Sequence, residues 1–239
     1  MNDFSQYMGF QSWDGRNNMI NGTDKVVCRC NVCSVDPDAK GNHYDMIVDF
    51  IKEKYNYRKN IILASGINAS DLKKSMDLRQ SKGIGELFIW KHQNLYTPTV
   101  SNFGLLDMVR EDPRPVYLHW DMNREDEWER LEKFLNEHTG PVILCHLGIN
   151  PLFKNQRWCI GRFKKIQKEH PNLWGEISWG ALDWLYKYPD YIDGMDTSRI
   201  FTASDLTTLS NRNKREMQML GLAAKTHSTA NIKRLFNIK

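Results

Sequence analysis

The stretch PVYLH at residues 115–119 carries the clearest signal of the fold, because it returns as PVILCH at residues 141–146. Each copy is a proline, a short apolar run and a final histidine. Apolar runs of this length that are rich in Val, Ile and Leu are typical of strands covered on both faces. The two copies therefore predict two buried strands, each ending in an imidazole.

Similar apolar runs lie on both sides of this pair, and amphipathic stretches with helical spacing separate them. This alternation of strand and helix predicts a parallel sheet. The additional strands are expected at Lys25–Val32, Asn60–Ser65, Ile84–Ile89, Leu173–Ser178 and Arg199–Ala203. The helices are expected at Tyr44–Tyr55, Glu125–Asn136, Ile160–Glu169 and Lys214–Lys225.

The spacing of the runs selects the architecture. His119 and His146 are 27 residues apart, and Glu176 and Asp205 follow after 30 and 29 residues. A unit of about 30 residues repeated eight times gives the length of a (β/α)8 barrel, typically about 250 residues. The alternative, a doubly wound open sheet, lacks support because no Gly-rich dinucleotide loop follows the first strand. We therefore expect one TIM-type (β/α)8 barrel domain over residues 1–239, with an atypical start over residues 1–24.

The composition excludes several classes of protein. The 239 residues are 41% hydrophobic and 26% charged, which is enough apolar content to fill a core. No apolar stretch is long enough for a membrane helix, and the net charge of +4 is too small and scattered to predict nucleic-acid binding. The N-terminus resembles no signal peptide, and the five cysteines are an odd number. Both features favour reduced thiols in a cytoplasmic protein.

Three of the cysteines, Cys28, Cys30 and Cys33, are close enough in sequence to suggest zinc. No second Cys or Cys/His pair follows at the spacing of a zinc finger. Cys28 and Cys30 are two residues apart in a predicted strand, so they share one face of it. We therefore interpret them as buried strand residues.

Polar side chains end or interrupt several of the predicted strands. His119 and His146 end two of them, Asp205 follows the last one, and Glu86 lies within the run that begins at Ile84. Active sites of barrels lie at the carboxyl ends of the strands, so these side chains are expected to converge there. Imidazole and carboxylate ligands suit zinc, manganese or iron. A single histidine at a strand end is more often structural, but two on consecutive strands favour an active site.

Three tryptophans, Trp90, Trp120 and Trp179, lie at or just after strand ends. They are candidates for the wall of a pocket that binds an aromatic or apolar substrate. The alternative is that they close the barrel mouth by packing.

Together these pieces resemble the amidohydrolase superfamily, and within it the amidohydrolase-2 group that includes aminocarboxymuconate-semialdehyde decarboxylase. The resemblance extends over residues 25 to 239. It depends on the order and spacing of five segments, which are PVYLH at 115–119, PVILCHLG at 141–148, HPNLWGEISW at 170–179, RIFTASD at 199–205 and NIKRLF at 231–236.

The resemblance implies a divalent metal, with zinc as the first choice, at the barrel mouth. His119 would be a ligand, and Asp205 would be a ligand or the proton acceptor of the metal-bound water. His146 would be a ligand in members with two metals, or an acid/base residue in members with one. Glu86 is similar to the strand-four glutamate that bridges two metals in TatD-type hydrolases.

The start of the chain departs from this pattern. The group opens with a His-x-His pair on strand one that supplies two ligands, whereas the first histidine here is His43. Either the sequence is truncated or it belongs to a branch that has lost the pair, and in both cases we expect zinc to bind weakly or not at all. We also expect the barrel to be irregular at strand one, with residues 5–13 covering the opening.

The sequence therefore predicts a metal-dependent hydrolase or decarboxylase of a small organic substrate, with an impaired metal site. One alternative is a barrel without catalytic activity that serves binding or assembly, because fold alone does not decide function. Another is a TatD-like nuclease, which Glu86 favours and the lack of a basic stripe disfavours. The expected partner is a small molecule, with neither nucleic acid nor membrane, and a homo-oligomer is left open.

Overall fold

Eight strands form one sheet in this computed structural model, in the order of the sequence. The described residues are 15–20, 24–29, 62–64, 72–73, 81–89, 103–120, 122–150, 154–202, 218, 222 and 225–237. The strands are β1 (Gly15–Ile20), β2 (Asp24–Arg29), β3 (Ile62–Ala64), β4 (Ser81–Phe88), β5 (Val116–His119), β6 (Val142–Leu144), β7 (Leu173–Ile177) and β8 (Ile200–Thr202).

The strands β2 to β8 coincide with the seven predicted runs, and each pairs in parallel with the next. The parallel barrel order expected from the spacing is confirmed. β1 was not predicted and runs antiparallel to β2, with Gly15 opposite Arg29 and Ile20 opposite Asp24. The sheet is therefore irregular where strand one of a barrel would lie.

The described part of the sheet is not closed, because no pairing between its strands joins β1 to β8. Closure of a sheet is what removes its unpaired edges. The prediction that residues 5–13 cover this opening lies outside the described residues, as do Cys30 and Cys33.

Helices separate most of the later strands. The predicted helices Glu125–Asn136 and Ile160–Glu169 are present, and the second begins four residues earlier than expected. Tyr44–Tyr55 lies outside the described residues, and only residues 218, 222 and 225 of Lys214–Lys225 are described, all of them helical. The helices with full bounds are α1 (Phe103–Val109), α2 (Glu125–Glu137), α3 (Gln156–Glu169), α4 (Trp179–Lys187) and α5 (Ser228–Leu235).

Where the structure describes helices, none has both the length and the apolar character that crossing a membrane requires. The helices instead carry one apolar side each. On α2 the buried positions include Trp128, Leu131 and Leu135, which recur at the helical period, and the first turn is acidic. This pattern explains why the segment forms a helix and which side of it meets the sheet.

Apolar residues on the two sides of the sheet belong to different clusters. Successive residues of a strand point to opposite faces. Val116 and Leu118 of β5 pack in the cluster shared with the helices, whereas Tyr117 between them packs in the other cluster. We call the face that carries Tyr117 the inner face. The other strand residues in this cluster are Ile143, Trp174 and Phe201. They are joined by Cys145, by Ile232 and Leu235 of α5, and by Phe236 directly after that helix.

The inner face is apolar near the amino ends of the strands and polar near their carboxyl ends. Two residues after Tyr117 comes His119, and two residues after Trp174 comes Glu176. Barrel interiors are built in such layers, with the chemistry in the layer nearest the carboxyl ends. The fold therefore places a layer of ionisable side chains on top of a packed apolar floor.

We expect the stability of the protein to fall as the pH falls below about 6.5, partly because of His138 at the end of α2. This ring is buried, stacks on Phe134 and has its Nδ1 3.0 Å from the carbonyl oxygen of Arg110. Burial lowers the pKa of His138 below its ordinary 6.5, although the Arg110 carbonyl and the charge of Asp112 act in the other direction. The unfolded chain therefore takes up this proton first, which destabilises the folded state.

The matched variant is His138→Asn, whose amide can keep the hydrogen bond to Arg110 but does not titrate. Urea unfolding between about pH 7.5 and pH 5 should show a smaller loss of stability in the variant than in the wild type. Equal losses would contradict the assignment. Asp112 does not interfere with this measurement. Burial alone would raise the pKa of Asp112, but Arg114 holds that pKa below the ordinary 3.8. The contribution of Asp112 to stability is therefore lost only at lower pH.

Candidate active site

The two histidines predicted from the sequence lie together at the carboxyl ends of β5 and β6. Nδ1 of His119 is 3.3 Å from Nε2 of His146. The ring centroids are 4.9 Å apart and the rings are nearly perpendicular, at 78°. His119 is half-buried, whereas His146 is only 2% exposed. His119 is therefore the ring that solvent or a substrate reaches first, with His146 behind it.

The backbone turn after β6 brings His146 to this position. In the β5–β6 register Leu118 lies opposite Leu144, so the next residue, Cys145, is the direct neighbour of His119 on the inner face. His146 would point to the opposite face if the strand continued. Instead the chain leaves the strand in a left-handed conformation, with φ of 56° at His146 and 54° at Leu147. The turn therefore carries His146 over the inner face.

Two successive non-glycine residues with positive φ are strained, and such strain collects at functional sites. Packing holds this turn in place. Leu147 is fully buried, and Gly148 follows with φ of 71°. The Gly148 carbonyl accepts a hydrogen bond from the backbone N–H of Met122, and a Cβ on Gly148 would lie 2.5 Å from Cγ of Met122. Met122 thus presses on the turn from the helix side of the sheet.

Two residues of the neighbouring strand region anchor His146. Nδ1 of His146 is 2.8 Å from Oγ of Ser178, and the Ser178 hydroxyl donates a 2.5 Å hydrogen bond to Oε1 of Glu176. Both Glu176 and Ser178 are fully buried. From the sequence, Glu176 was only a marker of spacing and Ser178 had no predicted role. The available signal was a carboxylate and a hydroxyl two residues apart within a buried run, hence on one face.

The two imidazoles fit the metal that the amidohydrolase resemblance implies. Two nitrogens bound to one tetrahedral zinc, each at about 2.0–2.1 Å, are about 3.3–3.4 Å apart. The 3.3 Å separation of His119 Nδ1 and His146 Nε2 matches that edge. Ser178 engages the other nitrogen of His146, as residues behind a metal ligand commonly do. His119 and His146 would therefore hold a metal ion through these two atoms.

Two imidazoles alone make a weak site, and we expect the dialysed protein to hold less than one zinc per chain. The physical reason is that the described residues bring two imidazoles to this place, whereas catalytic zinc sites have three protein ligands. Elemental analysis after dialysis measures this directly. Tightly held stoichiometric zinc would contradict the prediction and would show that other residues supply ligands.

The control for this measurement is His119→Asn. A second group of possible ligands, Glu132, Glu169 and His170, has ligand atoms within 4.8 Å of one another. It is partly exposed, and Glu132 also lies 3.7 Å from Arg162. Zinc that binds His119→Asn as well as the wild type would belong to a group such as this one.

The remaining predicted metal residues are only partly described. Glu86 lies on β4, where the register shifts between Ile84 and Leu87, but its side chain is outside the described part of the structure. Asp205 lies outside it altogether. The roles suggested for these two carboxylates therefore stay predictions.

Of the three tryptophans predicted near the site, the structure describes the side chain of Trp120. Trp120 is 2% exposed and packs in the cluster on the helix side of the sheet, with its indole N–H 2.5 Å from Oε2 of Glu127. This position is the one expected of a packing residue and not of a pocket wall. Trp120 follows His119 directly, so its side chain points to the opposite face of the sheet. Trp179 begins α4 with its side chain undescribed, and Trp90 is outside the described residues.

The sequence matches no model of a known protein family and no curated protein sequence. Solved structures with a similar fold include an amidohydrolase from Burkholderia multivorans with bound zinc, at a TM-score of 0.54 and 11% identity, covering 84% of this chain and 81% of that one. Another is a protein named as a 2-pyrone-4,6-dicarboxylic acid hydrolase from Pseudomonas putida, at a TM-score of 0.58 and 12% identity, covering 90% and 82%.

A third similar structure is an uncharacterized TIM-barrel protein from Bordetella bronchiseptica, at a TM-score of 0.50 and 14% identity, covering 81% of this chain and 72% of that one. At these identities the similarity establishes the fold alone. The TIM-type fold predicted from the spacing of the strands is therefore confirmed, and it is the fold of the group that the sequence resembles.

Proposed function

We propose that this chain is a hydrolase of the amidohydrolase type that acts on a small organic substrate at the carboxyl ends of its strands. The observation that carries the proposal is the His119–His146 pair, with 3.3 Å between the nearest ring nitrogens. The pair lies where barrel enzymes have their active sites. The strained turn at His146 and the buried Glu176–Ser178 anchor support the same interpretation.

Neutral imidazoles at this position can move the protons of a hydrolysis. As water adds to the carbonyl carbon of an ester, lactone or amide, its proton passes to the imidazole pair. When the carbon–oxygen or carbon–nitrogen bond breaks, the proton returns to the leaving atom. His119 is the more exposed ring and meets the water, while His146 shares the proton from behind. A divalent metal bound by the same two nitrogens would take the place of the shared proton, and it would polarise the carbonyl and acidify the water.

The fold neighbours and the composition of the site support one class of substrate. The Pseudomonas putida protein is named for hydrolysis of 2-pyrone-4,6-dicarboxylic acid, which is a small cyclic ester. The described polar layer is compact, with two imidazoles and the buried Glu176 above a floor that includes Tyr117 and Trp174. We therefore favour small carbonyl compounds such as lactones. Decarboxylation of a related acid is the second chemistry that the resemblance allows.

The test is turnover of 2-pyrone-4,6-dicarboxylate, a simple lactone and a simple amide, each with and without added Zn²⁺. Ring opening of at least one of them is expected, and added zinc should raise the rate if the metal site is impaired but usable. Release of carbon dioxide without ring opening would support the decarboxylase instead. The absence of turnover under all conditions would overturn the proposal and favour the barrel without catalytic activity. Cleavage of DNA would favour the nuclease.

A further inference from the structure

We propose that Glu176, acting through Ser178, determines which nitrogen of His146 carries the proton, and so keeps Nε2 of His146 free of hydrogen. Glu176 is thereby a positioning residue for the catalytic pair. The effect of this proton position on catalysis rests on the proposed function. The position of the proton on His146 does not, because it can be measured without a substrate.

The direction of the first hydrogen bond follows from the groups involved. A carboxyl oxygen without a proton can only accept, so the Ser178 hydroxyl donates its single proton to Oε1 of Glu176 across 2.5 Å. With that proton engaged, Oγ of Ser178 presents lone pairs to its other neighbour. At 2.5 Å this is a short O–H···O hydrogen bond, so this orientation of the hydroxyl is preferred.

The second bond then has a single possible direction. Nδ1 of His146 is 2.8 Å from Oγ of Ser178, and an oxygen that offers lone pairs requires a donor opposite it. In a neutral imidazole one nitrogen carries the hydrogen and the other does not. His146 therefore holds its hydrogen on Nδ1, and Nε2 is the nitrogen with a lone pair.

That lone pair points to the place where the chemistry is proposed. Nε2 of His146 faces Nδ1 of His119 at 3.3 Å. In this state His146 can accept a proton that His119 takes from water, or can act as a metal ligand. With the hydrogen on Nε2 instead, it could do neither. Through Ser178, the buried carboxyl group of Glu176 thus determines which nitrogen of His146 faces His119 without a hydrogen.

The burial of Glu176 favours this role over simple packing. Glu176 and Ser178 are fully buried, and Glu176 lies one inner position beyond Trp174 of the apolar floor. A buried carboxyl group is costly in a protein interior, and an apolar side chain of similar volume is often more stabilising. A carboxylate at this position is therefore better explained by what it does to His146 than by stability.

The experiment is long-range ¹H–¹⁵N NMR of protein with ¹⁵N-labelled histidine, at about pH 8, where imidazoles are mostly neutral. The two ring nitrogens have distinct signals according to which one carries hydrogen. The chain has seven histidines, so His146→Gln identifies the signals of this ring. In the wild type we expect the hydrogen of His146 on Nδ1.

Two variants test the chain of contacts, and two more serve as controls. In Glu176→Leu the Ser178 hydroxyl is released and can donate to Nδ1, so the tautomer ratio of His146 should change more than about tenfold toward hydrogen on Nε2. Ser178→Ala should shift the ratio in the same direction, whereas Ser178→Thr keeps a hydroxyl and should preserve the wild-type state. Thr226→Val removes a fully buried hydroxyl that bonds the Leu222 carbonyl instead, and should change nothing at His146.

The outcomes separate this proposal from the proposed function. Hydrogen on Nε2 in the wild type, or an unchanged ratio in Glu176→Leu, would overturn the role of Glu176 even if the protein hydrolyses a lactone. If Glu176→Leu does not fold, an unchanged ratio in Ser178→Ala would overturn it equally. The expected shifts in a protein without turnover would leave the positioning role standing and reject the enzyme.

Discussion

Replacement of His119 by asparagine should lower kcat/KM for the hydrolysed substrate by about 10²–10⁴-fold, the range that general acid–base groups contribute. His119 is the more exposed of the two paired rings, so its removal takes away the group that meets the attacking water. Asparagine is close to histidine in shape near the backbone but cannot accept a proton near neutral pH. The melting temperature should change little, since the ring lies at the end of β5 rather than in the apolar floor.

The matched control is His227→Asn. His227 is an exposed histidine with φ of 50° before α5, and asparagine tolerates this left-handed conformation. Its replacement should leave kcat/KM within about twofold of the wild type, because exposed substitutions away from a site have small effects. If His119→Asn retained full activity while the wild type turned over a lactone, the reacting centre would lie elsewhere in the chain.

Gly85→Ala should destabilise the protein by about 2–6 kcal/mol, a large part of a typical stability of about 5–15 kcal/mol. Gly85 lies on β4 with φ of 126°, a conformation essentially restricted to glycine, and the strain of another residue there is about 1–3 kcal/mol. A Cβ would also lie 2.5 Å from the carbonyl oxygen of Tyr117 and 2.7 Å from its Cβ. Overpacking of this kind adds about 1–3 kcal/mol.

The control for this variant is Gly161→Ala. Gly161 lies within α3, and a Cβ there would meet no other group within 4 Å, so alanine should stabilise by about 1 kcal/mol. Urea unfolding of both variants measures the two effects with opposite expected signs. A loss smaller than about 1 kcal/mol in Gly85→Ala would mean that β4 can relax around the register shift next to Gly85.

The sequence was sufficient for the seven parallel strands and their order because both depend on local and repeated features. Buried parallel strands are short apolar runs, and the repeat of about 30 residues identifies the barrel without any knowledge of contacts. The antiparallel β1 was not predicted, since Gly15–Ile20 is not an apolar run of this kind. The helices α1, α4 and α5 were not predicted either, and α1 and α5 are only seven and eight residues long.

The candidate site was predicted in part. His119 could be assigned to the carboxyl end of a strand because it ends an apolar run, and alternation along β5 also places Trp120 on the opposite face. The same alternation would have placed His146 on the wrong face. The sequence does not predict a left-handed conformation at His146 and Leu147, because residues other than glycine rarely adopt it.

By itself, then, the sequence determined the parallel barrel order and the pair of strand-ending histidines, since hydrophobic periodicity and residue type act locally. Only the tertiary structure decided that His146 turns back to within 3.3 Å of His119, and that Glu176 and Ser178 stand behind it. Packing around Leu147 and Met122 holds the strained turn. Such a conformation persists only where contacts between distant parts of the chain outweigh the local preference of the backbone.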